Sequence, residues 1–174
     1  AAETVATSSP SMDISRASNF ERFVFDLVGR DAEKTADLFA NQVKKGGFTV
    51  PADLLDAAVD TYGFFSASSH HADRLQTIKD ISDAYGVVVD PHTADGIKAA
   101  RAAQDAGVET PIICMETALP VKFSETIRDA VGRDPVVPER FAHIMEGGRY
   151  VTDMPNDAAA VKDFIMQSIN DTEV

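Results

Sequence analysis

Two short polar segments carry the residue types and spacing best suited to chemistry in this chain. They are residues 90–94, with the sequence DPHTA, and residues 116–123, with the sequence ETALPVKF. Each follows a short apolar run, at 87–89 or 112–115, that is typical of a buried strand in a parallel sheet. Because open parallel sheets bind ligands beyond the carboxyl ends of their strands, both segments are placed where a small molecule would bind.

Helix capping and anion binding are both compatible with the first segment. Asp90 and Pro91 are residue types that favour the N-cap and the first turn of a helix. A helix N-terminus has free N–H groups that attract phosphate or carboxylate, and His92 and Thr93 would add hydrogen-bond donors. The residue types alone leave the two interpretations open.

The second segment places three polar side chains, those of Glu116, Thr117 and Lys122, at the exit of its strand. Polar groups at this edge of a parallel sheet are available to a ligand. From the spacing alone, however, an ordinary loop is favoured over a functional one.

Metal binding and nucleophilic catalysis have weaker support. His70 and His71 are adjacent, so on a helix they diverge by about 100° and cannot share one metal ion. Cys114 lies within an apolar run, which favours a buried thiol over a nucleophile. The sequence contains no phosphate-loop, dinucleotide-binding or serine-hydrolase motif.

Length and charge exclude several classes of protein. The chain has 174 residues, a formal net charge of −12 and one cysteine. An acidic surface repels a phosphate backbone, so nucleic-acid binding is not expected. No apolar run reaches the ~18 residues of a membrane helix, so no membrane partner is expected either. A single cysteine excludes an internal disulfide framework and favours the reducing cytoplasm.

The apolar pattern predicts an α/β protein with a helical insert near its start. Residues 1–17 are expected to form extended chain or loop, residues 18–62 the helical insert, and residues 63–174 alternating strands and helices. Ser18 and Glu21 have the spacing of a capping box, which predicts the first helix start. Strands are predicted at 64–68, 87–89 and 112–115. Later helices are predicted at about 124–131, 138–144 and 157–169.

Four motifs, in order, resemble the bacterial and fungal type of threonine synthase. They are SPSMDI at 9–14, SNFER at 18–22, DPHTA at 90–94 and ETALPVKF at 116–123. The resemblance implies the parallel-sheet portion of a fold-type II enzyme that depends on pyridoxal 5′-phosphate (PLP), similar to the tryptophan synthase β-subunit. Residues 1–174 would then be the C-terminal part of the catalytic domain.

The resemblance also implies an activity, a cofactor and partners. Threonine synthases convert O-phospho-L-homoserine and water to L-threonine and phosphate with PLP. The family's cofactor-binding lysine lies upstream of these motifs, and none of the seven lysines here has the expected Phe-Lys-Asp setting. The chain also begins with Ala1 rather than Met. We therefore expect a C-terminal fragment that carries no catalytic residue of its own and is inactive without the upstream part of the enzyme.

Site residues follow from the same resemblance. Thr117 is implied to contact the pyridine nitrogen of PLP, as a neutral hydroxyl does in this fold. The candidate substrate-pocket residues are His92, Thr93, Ser9, Ser11 and Asp13. No metal site is expected.

Two other functions remain open at this stage. The first is another fold-type II PLP lyase, of the threonine dehydratase or cysteine synthase type, although the motifs at 9–14 and 90–94 argue against it. The second is a non-catalytic α/β module that binds a small anion or mediates assembly. The absence of the expected lysine would favour the second function if these residues were the whole protein.

Overall fold

Helices account for nearly all the regular structure of the described residues, which are 4–14 and 17–170 of a computed structural model. The α-helices are α1 (Phe20–Leu27), α2 (Ala32–Ala36), α3 (Ala52–Asp60), α4 (His71–Tyr85), α5 (Pro91–Asp105), α6 (Ser124–Val131), α7 (Ala142–Glu146) and α8 (Ala158–Asn170). Short 3₁₀ turns lie at Pro10–Met12, Val43–Lys45, Pro120–Phe123 and Glu139–Phe141, and a π-helical stretch lies at Asp37–Gln42. None of the described helices is both long enough and apolar enough to cross a membrane.

The largest apolar core lies between α4, α5 and α6. Ile78 of α4, Ala94 of α5 and Ile127 of α6 are fully buried against one another, and Val88 and Val89 pack on them. Full burial of an isoleucine side chain contributes about 1.5–3 kcal/mol. This core therefore holds α5 and α6 against α4, together with the segments that lead into both helices.

The predicted helical insert contains helices α1, α2 and α3. Val24 and Leu27 form the buried face of α1. The ring of Phe23 stacks on that of Phe64 at 4.3 Å and meets Tyr62 edge-on at 5.5 Å. The i, i+3, i+4 spacing of apolar residues therefore predicted the helices of this region correctly.

The capping box predicted at the start of the insert is wrong. Helix α1 begins after Asn19, and no side chain caps it. Instead, the backbone N–H of Phe20 donates to the Ala17 carbonyl and that of Arg22 donates to the Asn19 carbonyl, each at 3.2 Å. Two of the free donors at this helix start are therefore satisfied by backbone carbonyl groups rather than by side chains.

No β-strand is present in the part of the chain that the structure describes. The segments 64–68, 87–89 and 112–115, predicted as strands, are neither helical nor paired. A strand is defined by hydrogen bonds to a neighbouring strand, and these segments have no such neighbour. The predicted parallel sheet is therefore not formed by the described residues and stays a prediction.

The residues from Val137 onward form a second compact unit. Its regular elements are the 3₁₀ turn at Glu139–Phe141, α7 and α8. They agree with the helices predicted at about 138–144 and 157–169. The functional residues considered below all belong to the first unit, which ends at Val136.

Candidate functional site

Asp90 is the centre of a hydrogen-bond network that joins the two polar segments. It is fully buried and is the N-cap residue of α5. Its carboxylate accepts hydrogen bonds from the backbone N–H groups of His92 at 2.9 Å and Thr93 at 3.3 Å. It also accepts one from Nδ1 of His92 at 2.8 Å and a short one from the Thr93 hydroxyl. The helix capping predicted for Asp90 is thus confirmed, and the same carboxylate organises the side chains around it.

The protonation state of Asp90 follows from these donors. Burial raises the pKa of the Asp90 carboxyl, but hydrogen bonds from Thr93 and His92 outweigh burial. The net pKa lies below the ordinary value for aspartate. Asp90 is therefore ionised near neutral pH, and its negative charge is spread over several donors.

His92 has both ring nitrogens engaged. Its Nδ1 must carry the proton, because the Asp90 carboxylate can only accept. Its Nε2 accepts a hydrogen bond from the backbone N–H of Ser11 at 3.0 Å. The Phe123 ring packs on the imidazole edge-on, with centroids 4.8 Å apart. His92 is 3% exposed and is held as one neutral tautomer that links α5 to the loop preceding the insert.

Thr117 is connected to the same centre through Thr93 and Asp90. Its backbone N–H donates to the Thr93 hydroxyl at 3.2 Å. Its own hydroxyl donates to the two carboxylate oxygens of Asp90 at 3.3 and 3.4 Å. A hydroxyl has one proton, so the lone pairs of Thr117 Oγ remain available to accept a hydrogen bond from a ligand. The Thr117 residue is exposed, which leaves it accessible.

The loop that contains Ser9 and Ser11 is held in place from within. The backbone and hydroxyl of Thr7 donate to Asp13 at 2.6 and 2.7 Å, and these bonds lower the pKa of the Asp13 carboxyl. The Ser9 backbone N–H donates to the Thr7 hydroxyl at 3.1 Å, and Ser9 is fully buried. The candidate substrate-pocket residues of this loop therefore belong to an ordered turn whose hydrogen bonds are largely satisfied.

A buried ion pair between Arg74 and Asp95 is hydrogen-bonded to the start of this loop. Nε of Arg74 lies 2.9 Å from Oδ1 and 3.0 Å from Oδ2 of Asp95, and both side chains are almost completely buried. Arg74 also donates to the Ser8 hydroxyl and to the Ser69 carbonyl, each at 3.3 Å. The hydroxyl of Ser8 is also 2.9 Å from Nδ1 of His71. The start of α4 therefore holds one end of the loop.

An open cleft of about 670 Å³ borders this ion pair. Three stretches of chain line the cleft, namely residues 6–10, 69–74 and 122–129. Phe123 belongs both to the cleft and to the packing around His92, so the cleft adjoins the Asp90 network.

Comparison with known proteins decides the family. Residues 93–165 match the family described as threonine synthase, C-terminal. The chain is 55% identical over 174 residues to the threonine synthase of Corynebacterium glutamicum, covering 99% of this chain and 36% of that protein. It is 48% identical over 168 residues to the threonine synthase of Methylobacillus glycogenes, covering 97% of this chain and 35% of that protein. The chain belongs to the threonine synthase family.

Structural comparison agrees with this assignment. The X-ray structure of PLP-bound threonine synthase from Brucella melitensis superimposes with a TM-score of 0.81 at 32% identity, covering 95% of this chain and 35% of that one. The chain has the fold of the matching part of this fold-type II PLP enzyme. It spans about a third of the length of the threonine synthases that it matches.

The structure brings together most of the site residues that the threonine synthase motifs predicted. Ser11, His92, Thr93 and Thr117 meet around Asp90, whereas Asp13 and Ser9 belong to the adjoining turn. Their roles toward a cofactor or substrate stay predictions. Lys122 lines the cleft instead of joining the Asp90 network.

Some expectations for single residues need adjustment. Cys114 is a free cysteine that is only partly buried, so the expected fully buried thiol is not observed. Its run lacks a neighbouring layer among the described residues, and this lack leaves Ile113 84% exposed. Within the described part of the chain, no group of three or more His, Cys, Asp or Glu residues could hold a metal ion.

The Arg74–Asp95 pair was missed by the sequence analysis. A weak signal existed, because Arg74 stands four residues before the apolar Ile78, and residues at this spacing share one side of a helix. A charged residue in that position needs a buried partner. The partner is 21 residues away, on α5, and no local pattern identifies it.

Proposed function

We propose that this chain is the C-terminal part of a cytoplasmic threonine synthase. The complete enzyme is a carbon–oxygen lyase that converts O-phospho-L-homoserine and water to L-threonine and phosphate. Its PLP is bound by a lysine in the upstream part of the same protein. The observation that carries this proposal is the 55% identity to a threonine synthase over 174 residues, which include all four motifs. As in that family, the chain contributes binding and positioning groups rather than the covalent attachment of the cofactor.

The environment of Thr117 fits the ring nitrogen of PLP. When bound, PLP supplies an electron sink for the substrate's α-carbon. The Thr117 hydroxyl is accessible, and its proton is directed toward Asp90. It can therefore accept a hydrogen bond from a protonated ring nitrogen. The ionised Asp90 behind it would favour that protonated form through its negative charge.

His92 is a positioning residue in this proposal. Both of its nitrogens are occupied, by Asp90 and by the Ser11 backbone, so it has no free site for proton transfer. Its effect is to fix the turn with Ser9, Ser11 and Asp13 relative to α5. The substrate-pocket role predicted for this turn therefore depends on the imidazole that holds it in place.

The parallel sheet is proposed to be completed by the upstream part. Three unpaired segments carry large exposed apolar side chains, including Ile113, Met115, Val87 and Phe65. Exposed apolar runs of this kind indicate surfaces that another layer covers. Segments 64–68, 87–89 and 112–115 are therefore proposed to become strands when the remaining sheet neighbours are present.

The experiment is an activity assay on the full-length enzyme and on residues 1–174 alone. The full-length protein should show a PLP absorbance band and release phosphate and threonine from O-phospho-L-homoserine. Residues 1–174 alone should do neither. Turnover of serine or threonine by dehydration, without activity on the phosphate ester, would indicate the other PLP lyases instead. Full-length protein without PLP would favour a non-catalytic module.

A further inference from the structure

We propose that Arg74 is a positioning residue for substrate binding, because it holds one point of the turn at residues 7–13 while His92 holds another. This inference rests on the proposed function and deepens it, since the turn carries three of the candidate substrate-pocket residues. The Arg74 side chain is buried, with the residue 5% exposed, and its charge is balanced by Asp95. A buried, paired guanidinium is suited to orient the groups around it rather than to bind a ligand itself.

The Arg74 guanidinium joins three segments of the chain, one through each of its nitrogens. Nε lies 2.9 and 3.0 Å from the two carboxylate oxygens of Asp95 on α5. Nη1 donates to the Ser8 hydroxyl and Nη2 to the Ser69 carbonyl, each at 3.3 Å. Because a guanidinium is planar and presents its N–H donors in a fixed fork, it sets the relative positions of all three partners. The ion pair therefore links the turn to α5 by way of α4.

Ser8 is the residue of the turn that this fork holds. Its hydroxyl also lies 2.9 Å from Nδ1 of His71, the first residue of α4. A serine hydroxyl has one proton and two lone pairs, so it can accept from Arg74 and be bonded to the imidazole at the same time. Two side chains of α4 therefore restrain the same hydroxyl.

The turn has its second attachment at Ser11. The backbone N–H of Ser11 donates to Nε2 of His92 on α5 at 3.0 Å. Ser9, which lies between the two attachments in sequence, is fully buried. A turn attached at one point can rotate about that point, whereas attachment at two points defines its orientation. The Arg74 and His92 contacts are therefore both needed to orient Ser9 and Ser11 against α5.

The consequence for the enzyme concerns substrate binding rather than the chemical step. Without its hydrogen bonds to Ser8, the turn stays attached at His92 alone. Loss of these bonds shifts the equilibrium between the ordered and the displaced turn about tenfold. A site whose binding-competent form is populated only in part binds with an affinity reduced by that fraction. KM should therefore rise while kcat, measured per bound PLP, changes little.

The test uses the full-length holoenzyme with two variants of the contact between Arg74 and the turn. Ser8→Ala removes the contact and leaves the buried ion pair intact. Arg74→Lys keeps a positive charge beside Asp95 but lacks the fork that also reaches Ser8. Each variant is assayed for KM and kcat with O-phospho-L-homoserine, for PLP content, and for hydrogen exchange of the backbone at residues 8–13.

Two further variants separate the effect of Arg74 from other causes. His71→Ala removes the second partner of Ser8 and does not touch the buried ion pair. Ser82→Ala is the matched control, because Ser82 is also a half-buried serine and lies further along α4.

We expect the two variants of the Arg74 contact to change binding and order together. Ser8→Ala and Arg74→Lys should raise KM about threefold to tenfold and speed hydrogen exchange of residues 8–13 about tenfold. PLP content and kcat per bound PLP should stay within about twofold of the wild type. His71→Ala should have a smaller effect than Ser8→Ala, and Ser82→Ala should match the wild type.

Four other results would overturn the inference. Faster exchange with an unchanged KM would show that the turn does not take part in substrate binding. Unchanged exchange in Ser8→Ala would show that Arg74 does not hold the turn. A loss of kcat and PLP content at an unchanged KM would show a purely structural role. An effect of His71→Ala as large as that of Ser8→Ala would assign the turn to His71 instead.

Failure of the proposed function would give a different result. A wild-type enzyme without activity on O-phospho-L-homoserine would overturn that function, and with it any role in substrate binding. The exchange rates of residues 8–13 would still report whether Arg74 holds the turn, because they do not depend on activity.

Discussion

Nδ1 of His92 donates a hydrogen bond to the carboxylate of Asp90 at 2.8 Å, and both side chains are buried. The Asp90 carboxylate also accepts a hydrogen bond from the His92 backbone N–H as the cap of α5. The side chain of His92 is therefore bound to the same carboxylate as its backbone. The opposite nitrogen of the imidazole is thereby fixed as an acceptor, and the Ser11 backbone binds it. A local helix cap thus positions a loop about 80 residues earlier in the chain.

Asp90 is expected to stabilise the protein more than an ordinary helix cap. Asp90→Ala removes the acceptor of a buried network and leaves the donors of Thr93 and His92 unsatisfied. We expect the free energy of unfolding to fall by about 3 kcal/mol. Asp31→Ala is the matched control, since Asp31 caps α2 with one exposed bond of 2.9 Å to the Lys34 backbone. Asp31→Ala should lower the free energy of unfolding by about 1 kcal/mol. Urea denaturation of the full-length enzyme measures both, and equal losses would contradict a role beyond capping.

The Asp90 carboxylate should also make the stability of the protein depend on pH in the acid range. Its folded pKa is below the unfolded value of about 3.9, so its contribution is complete above that value and is lost as pH falls through the folded pKa. Stability measured between pH 6 and pH 2 should therefore decline more steeply in the wild type than in Asp90→Asn. The variant should keep part of the slope, because Asp13 and Asp73 also have lowered pKa values. Equal slopes of stability against pH in the wild type and Asp90→Asn would show that protonation of Asp90 does not affect stability.

Elements with a local cause could be predicted from the sequence. The apolar spacing and the cap residues predicted α6 at Ser124–Val131 and the start of α5 after Asp90, as observed. Gly86 ends α4 in the left-handed conformation, with φ +68°, as expected for a glycine at a helix end.

Features that depend on residues far along the chain could not be predicted in this way. The apolar run at 112–115 has strand composition, but strand formation needs a partner that these residues do not provide. Arg74 and Asp95 are each unremarkable in sequence, and only the packing of α4 against α5 brings them together. The motifs named Ser11, His92, Thr93 and Thr117, which lie around Asp90, but their roles toward a ligand stay predictions. Asp90 itself was predicted only as a cap, because its long-range bonds to Thr117 depend on tertiary structure.

The Arg74–Asp95 pair should show strong coupling in a double-mutant cycle. Arg74→Met or Asp95→Asn alone leaves the other group buried without its partner, at an expected cost of about 3–5 kcal/mol. The double variant should lower the free energy of unfolding by less than the sum of the two single-variant losses. The exposed pair Arg101–Asp80, separated by 3.4 Å, is the control and should couple by less than about 1 kcal/mol. Additive losses at Arg74 and Asp95 would show that the pair contributes no interaction energy.

Thr117 should affect the cofactor more than the fold. Thr117→Val keeps the shape of the side chain but removes the hydroxyl proposed to contact the ring nitrogen of PLP. In the full-length enzyme we expect kcat to fall about tenfold or more, with an altered absorbance spectrum of the bound cofactor and a nearly unchanged urea midpoint.

Two further variants separate this effect from a general loss of hydroxyl groups. Thr117→Ser keeps the hydroxyl and should retain most of the activity and the wild-type spectrum. Thr110→Val changes an exposed threonine seven residues earlier and should leave both unchanged. A wild-type kcat and spectrum in Thr117→Val would refute the assignment, because no other property of a valine could replace an accepting oxygen. A fall in activity that Thr117→Ser does not reverse would point to packing at this position rather than to the hydroxyl.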